Sequence, residues 1–185
     1  MKEIKYKYVS TTYPSIIYYP YVMLQNLYSN IKYSNIFSSK FEANMIIENL
    51  YLGNIDSSYD YAELKNIGIT HVVSVLQGYI PPYPDDFNYL VVNALDDENT
   101  NLKDVFDEAI EFIDEGIENG KVLVHCYAGR SRSATIVIAY IVKKFGMSVE
   151  KALKFVKGCR GIVMPNKYFM KQLDEYYIKL YRNNW

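Results

Sequence analysis

The stretch VLVHCYAGRSRSATIVIAY, residues Val122 to Tyr140, contains two apolar segments around a short polar one. The polar segment holds one cysteine, one glycine and two arginines. The residues before it, KVLVH, are typical of a buried strand, and Ser133 to Phe145 predicts a strongly apolar helix that ends at Gly146. A strand, a glycine-containing loop and a helix in this order predict an anion site, because loop and helix N-terminus both present backbone N–H groups.

Outward from this stretch, strands alternate with helices, which predicts an α/β fold with a central, mostly parallel sheet flanked by helices. Upstream we expect two short strands around a turn at Glu48-Asn49, a helix from Asp56 to Ile67 capped by Gly68, strands at 71–76 and 88–95, and a helix from Asn101 to Glu118. Downstream we expect helices that begin near Ser148 and Asn166.

The length of 185 residues indicates one domain with a sizeable core. Residues 1–43 show neither a helical nor a strand period, and eight of the 20 tyrosines lie in the first 40 positions. We therefore divide the chain into an N-terminal Tyr-rich arm, residues 1–43, and a catalytic domain, residues 44–185. Genome-level mutational bias explains the tyrosines as well as any function does.

The N-terminal sequence MKEIKYKY lacks the apolar core of a signal peptide, and two cysteines cannot form a disulfide framework. The apolar run IIYYPYVML is much shorter than the ~20 residues that span a bilayer. We expect a soluble protein of a reducing compartment, in the cytoplasm and also in the nucleus as a second location. We expect no membrane insertion and no nucleic-acid partner.

Charge is distributed unevenly along the chain, although the net charge is only −1. Residues 1–125 hold 8 basic and 18 acidic residues, whereas residues 126–185 hold 12 basic and 3 acidic ones. The positive part begins at Cys126, which favours an anionic ligand there. The alternative is that solvated helix faces differ in sign by chance.

Cys126 is the candidate nucleophile, because the field of an anion site also stabilises a thiolate. Gly129 permits an unusual backbone turn, and Arg132 is placed to hold two phosphate oxygens at once. Other types of catalytic or binding site are disfavoured because the residues that they require are missing. A Cys–His hydrolase needs a histidine beside the sulfur, a zinc site needs more clustered ligands, and neither a GxxxxGK[ST] loop nor a CxxC pair is present. What remains is attack of a thiolate on a phosphate monoester, with an aspartate on another loop as general acid.

His125-Cys126-x5-Arg132-Ser133 resembles the HCx5R[ST] signature of the cysteine-dependent protein phosphatases, and HCYAGRSRS is similar to the dual-specificity branch. The resemblance extends over about 45–182. It includes NLYLGNIDSS, LKNIGITHVVSV and the C-terminal PN-x-x-F-x-x-QL pattern from Pro165 to Leu173. Because the chain lacks the docking domains and zinc tails of larger members, it resembles a small, atypical dual-specificity phosphatase.

The resemblance implies roles for individual residues. The family's general acid precedes a helix-opening leucine by six positions, which selects Asp96 before Leu102, with Asp97 as the alternative. Ser133 would stabilise the departing thiolate or simply start a helix. Asn166 would support the phosphate loop or only cap a helix, and His125 would be structural. Phosphate would be bound by the loop residues Tyr127, Ala128, Gly129, Arg130, Ser131 and Arg132, with no metal and no other cofactor.

We expect phosphorylated proteins as substrates, with kinases among the candidates, and hydrolysis at phosphotyrosine and phosphoserine/threonine. A phosphoinositide or other non-protein substrate is the alternative, because Arg130 matches half of the lipid-directed pattern while Tyr127 does not. An inactive phosphoprotein-binding module is the third hypothesis. A homodimer through the N-terminal arm stays open. Cys159 is expected to be a packing residue rather than a redox partner of Cys126, and His71 to be structural.

Overall fold

The computed structural model of the protein describes residues 6–10 and 41–182, without the side chains of Tyr6 and Ser10. The strands of this part are β1 (Tyr6–Ser10), β2 (Ala43–Ile47), β3 (Leu50–Gly53), β4 (Ile69–Val75), β5 (Asn88–Asn93) and β6 (Lys121–His125). Its helices are α1 (Ile55–Tyr59), α2 (Tyr61–Ile67), α3 (Phe106–Glu118), α4 (Arg132–Phe145), α5 (Val149–Cys159) and α6 (Lys167–Tyr181), and a 3₁₀ turn (Lys103–Val105) precedes α3.

The six strands form one sheet in the order β1-β5-β4-β6-β3-β2. Every neighbouring pair is parallel except β2 and β3, which form an antiparallel hairpin around Glu48 and Asn49. The central strands β4, β5 and β6 are almost entirely buried. Burial on both faces explains why these strands are mostly apolar without alternation, although β4 also buries the polar residues His71 and Ser74. The predicted α/β fold with a mostly parallel sheet is confirmed.

Helix α4 lies at the centre of the helical packing. All residues from Ser133 to Val142 are buried, and α4 contacts α3, α5 and α6 as well as the strands β3, β4 and β6. A helix enclosed in this way needs apolar residues on all sides, which is the reason for the unbroken ATIVIAYIV sequence. Its N-terminus is thereby fixed at the end of β6.

Two sequence predictions need correction. The helix expected from Asp56 to Ile67 is two helices, because the Asp60 carboxylate accepts the Glu63 N–H at 3.1 Å and caps a new helix there. The helix expected from Asn101 begins as the 3₁₀ turn, with α3 proper starting at Phe106.

The N-terminal arm contains a strand that its sequence period did not indicate. Residues 6–10 form β1, an edge strand parallel to β5 with Tyr8 opposite Val91. The boundary at 43/44 also falls inside β2. The remainder of the arm, residues 11–40, lies outside the described residues.

The parallel arrangement places the ends of β5 and β6 at the same edge of the sheet, with β4 between them. The loops that follow these strands therefore converge at the carboxyl edge, the usual location of ligand sites in open α/β sheets. In the described part of the chain, no helix is both long and apolar enough to cross a membrane.

Candidate active site

The loop between β6 and α4, residues 126–131, is called the cysteine loop below. Its five carbonyl groups from residue 127 to 131 all have hydrogen-bond donors. The donors are Ile55 N–H for Tyr127, the Arg160 guanidinium for Ala128 and Gly129, Met164 N–H for Arg130, and both Thr135 N–H and Thr135 Oγ for Ser131. In a trans peptide the C=O and N–H point in opposite directions, so the N–H groups of residues 128–132 are turned away from these donors. The N–H groups of Arg130 and Ser133 are directed at the Cys126 sulfur, and a set of backbone N–H groups of this kind suits an anion.

Gly129 is required by the shape of this loop. Its φ of +66° lies in the left-handed region, and a Cβ atom there would lie 2.4 Å from the carbonyl oxygen of Gly53. Only glycine fits both conditions. The close approach also brings the loop against the end of β3.

Cys126 begins the loop, and its side chain is buried. Burial by itself would raise the pKa of the thiol, because a thiolate is poorly solvated inside a protein. The Arg132 guanidinium, the Ser133 hydroxyl, and the backbone N–H groups of Ser133 and Arg130 outweigh burial and hold the pKa below the usual value for cysteine. The Ser133 hydroxyl donates to Cys126 Sγ at 3.1 Å. The sulfur is therefore surrounded by groups that stabilise its negative form.

Arg132 opens α4 and reaches back over the pocket. Its Nη1 donates to the carbonyl of Ala94 at 3.2 Å, and its Nε lies 3.8 Å from Asp96 Oδ2. Nε is buried and has no hydrogen-bond partner among the described residues. An anion in the pocket would provide the missing acceptor, because a guanidinium binds oxyanions through two parallel N–H groups.

Asp96 lies on the loop after β5, residues 94–101, called the aspartate loop below. Its Oδ1 accepts hydrogen bonds from Ser131 Oγ and from Asn166 Nδ2, both at 2.8 Å. Because both donors bind Oδ1, Oδ2 is the oxygen left closer to Arg132. Asp96 thus lines the same pocket as Cys126.

Asp97 is turned into its own loop. Its Oδ1 accepts from the N–H groups of Asn99 and Thr100, at 3.1 and 3.0 Å, and from the Thr100 hydroxyl at 2.9 Å. This pattern is a local turn held by an aspartate. The geometry therefore separates the two candidate acids into one that lines the pocket and one that shapes the loop.

Asn166 combines the two roles left open by the sequence. Its Oδ1 caps α6 by accepting the N–H groups of Tyr168 and Phe169, each at 2.9 Å. Its Nδ2 holds Asp96, and its backbone N–H donates to Ser131 Oγ at 3.2 Å. One residue therefore links α6, the aspartate loop and the cysteine loop.

His125 is fully buried at the end of β6, with Nε2 2.7 Å from Ser74 Oγ and its ring packed edge-on against Tyr79. Burial, together with a smaller effect of the nearby Arg132 charge, lowers the pKa of His125 to about 3. The imidazole is therefore neutral at physiological pH, and it supports the start of the cysteine loop as a packed, uncharged side chain.

The pocket above Cys126 has a volume of about 410 Å³. Tyr127 and Arg130 lie exposed in the loop at its rim, and Arg130 Nη2 contacts Met164 Sδ at 3.4 Å. The remaining lining residues are Asp96, Ala128, Ser131, Arg132, Met164, Pro165 and Asn166. The pocket therefore combines apolar lining residues such as Met164 and Pro165 with the cationic Arg132. This combination suits a phosphate that is attached to a larger group.

Sequence reasoning missed Arg160 and its partners. Arg160 is 3% exposed and provides two of the donors to the cysteine loop. Its position near the end of a predicted helix gave no signal, because Asn44 and Glu42 lie 116 and 118 positions away in sequence. Gln172 belongs to the PN-x-x-F-x-x-QL pattern, which by itself assigns it no role. Its side chain holds the far end of the aspartate loop through Leu102 N–H at 2.8 Å and Thr100 O at 2.8 Å.

The other candidate residues lie apart from this pocket. His71 is buried between Thr70, Asn88 and Phe112. Cys159 is a half-buried free thiol whose Sγ is 3.7 Å from the carbonyl of Ile46. Within residues 6–10 and 41–182, no three His, Cys, Asp or Glu side chains are grouped to hold a metal ion.

Comparison with known proteins gives concordant matches. The family model described as dual specificity phosphatase, catalytic domain, matches residues 50–179. Dual specificity protein phosphatase 1 of Arabidopsis thaliana is 41% identical over 153 residues, which cover 82% of this chain and 77% of that protein. Dual specificity protein phosphatase 1B of the same plant is 43% identical over 132 residues, 71% of this chain and 79% of the relative. The crystal structure of human tyrosine phosphatase-like serine/threonine/tyrosine-interacting protein superposes with a TM-score of 0.71 at 37% identity, covering 74% of this chain and 96% of that one.

Proposed function

The chain belongs to the dual-specificity phosphatase family, and from this premise we propose that it hydrolyses phosphate monoesters on tyrosine, serine and threonine side chains of proteins through a phosphate bound covalently to Cys126. One observation carries the mechanism: the buried Cys126 thiol accepts a hydrogen bond from the Ser133 hydroxyl and shares a pocket with Arg132, and the N–H groups of Ser133 and Arg130 are directed at its sulfur. The same groups that stabilise the thiolate would bind the phosphate that it attacks.

In the first step, the phosphate oxygens accept hydrogen bonds from the loop N–H groups and from Arg132. The Cys126 thiolate attacks phosphorus, so that an S–P bond forms as the bond to the leaving oxygen breaks. The leaving oxygen takes a proton from the Asp96 carboxyl group. Asp96 is suited to this role because Ser131 and Asn166 both bind Oδ1, so that Oδ2, which lies 3.8 Å from Arg132 Nε, is the oxygen that would carry the proton.

In the second step, water attacks the phosphorus and gives its proton to the Asp96 carboxylate. The S–P bond breaks, inorganic phosphate leaves and Cys126 returns as a thiolate. The Ser133 hydroxyl, 3.1 Å from the sulfur, stabilises this leaving thiolate by hydrogen bonding. Both steps use Cys126 and Asp96: Cys126 is first the nucleophile and then the leaving group, and Asp96 is first the acid and then the base.

We propose that neither step needs a metal ion. Arg132 and the loop N–H groups supply the positive charge and fixed dipoles that a metal would otherwise provide. We also propose a reducing compartment such as the cytoplasm, since a thiolate nucleophile is lost on oxidation. A role in signalling, kinases among the substrates and a dimer through the arm stay predictions.

The experiment is a parallel assay in EDTA on a phosphotyrosine peptide, a phosphothreonine peptide and a phosphoinositide in micelles. We expect both peptides to be hydrolysed, and the lipid at a much lower kcat/KM. Faster hydrolysis of the lipid would replace the proposal with a phosphoinositide phosphatase. Peptide binding without release of phosphate would identify a binding module instead.

A further inference from the structure

Arg160 is a fully charged side chain in an almost fully buried position, with 3% of its surface exposed. A buried charge is tolerated only when its hydrogen bonds are satisfied. All three nitrogens of its guanidinium have acceptors. Nη1 donates to Asn44 Oδ1 at 2.7 Å, Nη2 donates to Glu42 Oε1 at 2.8 Å and to Ala128 O at 3.2 Å, and Nε donates to Gly129 O at 3.0 Å.

The two backbone contacts fix the direction of two peptide groups. The carbonyl of Gly129 belongs to the same peptide group as the N–H of Arg130, and the carbonyl of Ala128 to the same group as the N–H of Gly129. Because Arg160 holds both carbonyls on the outer side of the loop, both N–H groups face the inner side. The Arg130 N–H is one of the groups that lower the pKa of Cys126.

On the far side of Arg160, the acceptor Glu42 is anchored through its backbone. The backbone N–H of Glu42 donates to Ser57 Oγ at 3.0 Å, and its carbonyl accepts the N–H of Asn54 at 3.3 Å. Asn54 caps α1, whose first residue, Ile55, binds the carbonyl of Tyr127. The outer side of the cysteine loop is therefore closed by one connected set of hydrogen bonds, with Arg160 at its centre.

We propose that Arg160 is a positioning residue of the phosphatase reaction: it orients the Gly129 and Arg130 N–H groups toward the sulfur and the phosphate while touching neither. This proposal deepens the proposed function and rests on it. A residue that only stabilised the fold would lower the unfolding temperature without changing the chemistry of the folded enzyme.

The test compares Arg160→Met and Arg160→Lys with the wild type and with Arg182→Met, an exposed arginine just after α6. The first measurement is the pH dependence of Cys126 alkylation by iodoacetamide, followed on the Cys126 peptide by mass spectrometry. Arg130, Arg132, Asp96 and His125, the other charged or titratable groups around the sulfur, are unchanged in all variants. We expect the midpoint to rise by about one pH unit in Arg160→Met and to stay unchanged in Arg182→Met.

The second measurement is turnover of p-nitrophenyl phosphate and binding of inorganic phosphate. Loss of oriented N–H donors should lower kcat by about 10²-fold and weaken phosphate binding by about tenfold in Arg160→Met. Arg160→Lys should lie close to Arg160→Met, because an ammonium group cannot satisfy four acceptors in one plane. Full rescue by lysine would mean that only the charge matters and would overturn the proposal.

If Arg160→Met does not fold, Asn44→Ala is the variant that tests the proposal. It removes one hydrogen-bond acceptor of Arg160 and leaves the arginine in place. We expect the same changes in Asn44→Ala at a smaller size, about threefold in kcat. Unchanged alkylation and turnover in a folded Arg160→Met, or in Asn44→Ala when that variant decides, would overturn the proposal. The alkylation result needs no substrate. A raised midpoint in an enzyme that is inactive on all phosphopeptides would support the positioning of the loop and refute the proposed function.

Discussion

The cysteine loop and the aspartate loop line opposite sides of one pocket, but they are held in place by different kinds of contact. The carbonyls of the cysteine loop are bound by backbone N–H groups, by Arg160 and by the first turn of α4. The aspartate loop is held by side chains: Asp97 within the loop, Gln172 from α6, and Asn166 at the N-cap of α6. Its residues Asp96, Glu98 and Asn99 are exposed.

This difference matches what each side of the pocket has to do. Binding a phosphate dianion requires several donors that keep their directions throughout the reaction, and backbone groups in a packed loop meet that requirement. Proton transfer requires only one well-placed carboxyl group, whose hydrogen bonds must change as the proton leaves and returns. We therefore expect the cysteine loop to be the rigid side of the pocket and the aspartate loop to be the adjustable side.

On the rigid side of the pocket, the cysteine loop, Cys126→Ser separates phosphate binding from turnover. We expect turnover to fall by roughly 10⁴-fold or more, because the hydroxyl of serine is not ionised in this site. Inorganic phosphate should still bind within a few-fold of the wild type, since the N–H groups and Arg132 remain. Calorimetry measures the binding and a phosphate-release assay the turnover. Loss of both together would show that the loop depends on the sulfur for its shape.

On the adjustable side, Asp96→Ala should affect substrates according to their leaving group. We expect kcat on a phosphothreonine peptide to fall by roughly 10²- to 10⁴-fold, and kcat on p-nitrophenyl phosphate to fall much less. The alcohol needs a proton to leave, whereas p-nitrophenolate scarcely does.

The matched control for this prediction is Asp97→Ala, which removes the three hydrogen bonds within the aspartate loop. It should lower stability by about 1–2 kcal/mol and leave the dependence on leaving group unchanged. If Asp97→Ala instead lowered kcat on the phosphothreonine peptide far more than on p-nitrophenyl phosphate, and Asp96→Ala lowered both equally, the assignment of the acid would be reversed.

His125 gives a pH dependence of stability on the rigid side. Its pKa is about 3 in the folded protein against 6.5 for an unperturbed histidine, so the unfolded chain binds the proton more readily between these values. Stability from this group is therefore present above pH 6.5 and is lost as pH falls, by about 2 kcal/mol from pH 7 to pH 5. Denaturant unfolding at both pH values should show that His125→Gln loses about 2 kcal/mol less than the wild type. Equal losses would assign the effect to other groups, including His71, whose pKa is also lowered by burial.

Asn166 links the two loops, and its two functions can be separated. In Asn166→Ser the hydroxyl still caps α6 but the donor to Asp96 is lost, whereas Asn166→Ala loses both. We expect both variants to reduce kcat on the phosphothreonine peptide by about tenfold. Only Asn166→Ala should also lose about 1 kcal/mol of stability in denaturant unfolding. Full activity in Asn166→Ser would restrict Asn166 to its role as a helix cap.

The sequence by itself determined the central part of the fold and of the site. Local patterns can be recognised in a sequence because residues that are close in sequence are also close in space. Such patterns are the apolar runs of β4, β5 and β6, the helix after the cysteine, and the spacing from Cys126 to Arg132. The hairpin of β2 and β3 and the cap at Gly68 follow for the same reason. Asp96 was selected only because a family resemblance supplied its spacing.

Only the tertiary structure decided the contacts that join distant segments. The pairing of β1 with β5 connects Tyr6 to Tyr89, and the edge strand was missed because five residues carry no readable period. The difference between Asp96 and Asp97 depends on which carboxylate faces Ser131 and Asn166, at 35 and 70 positions away. Arg160 binds residues 31 to 118 positions away. Such contacts produce no periodic pattern in the sequence. They arise because distant segments of the chain meet at the same edge of the sheet, and there they hold the outer side of the cysteine loop.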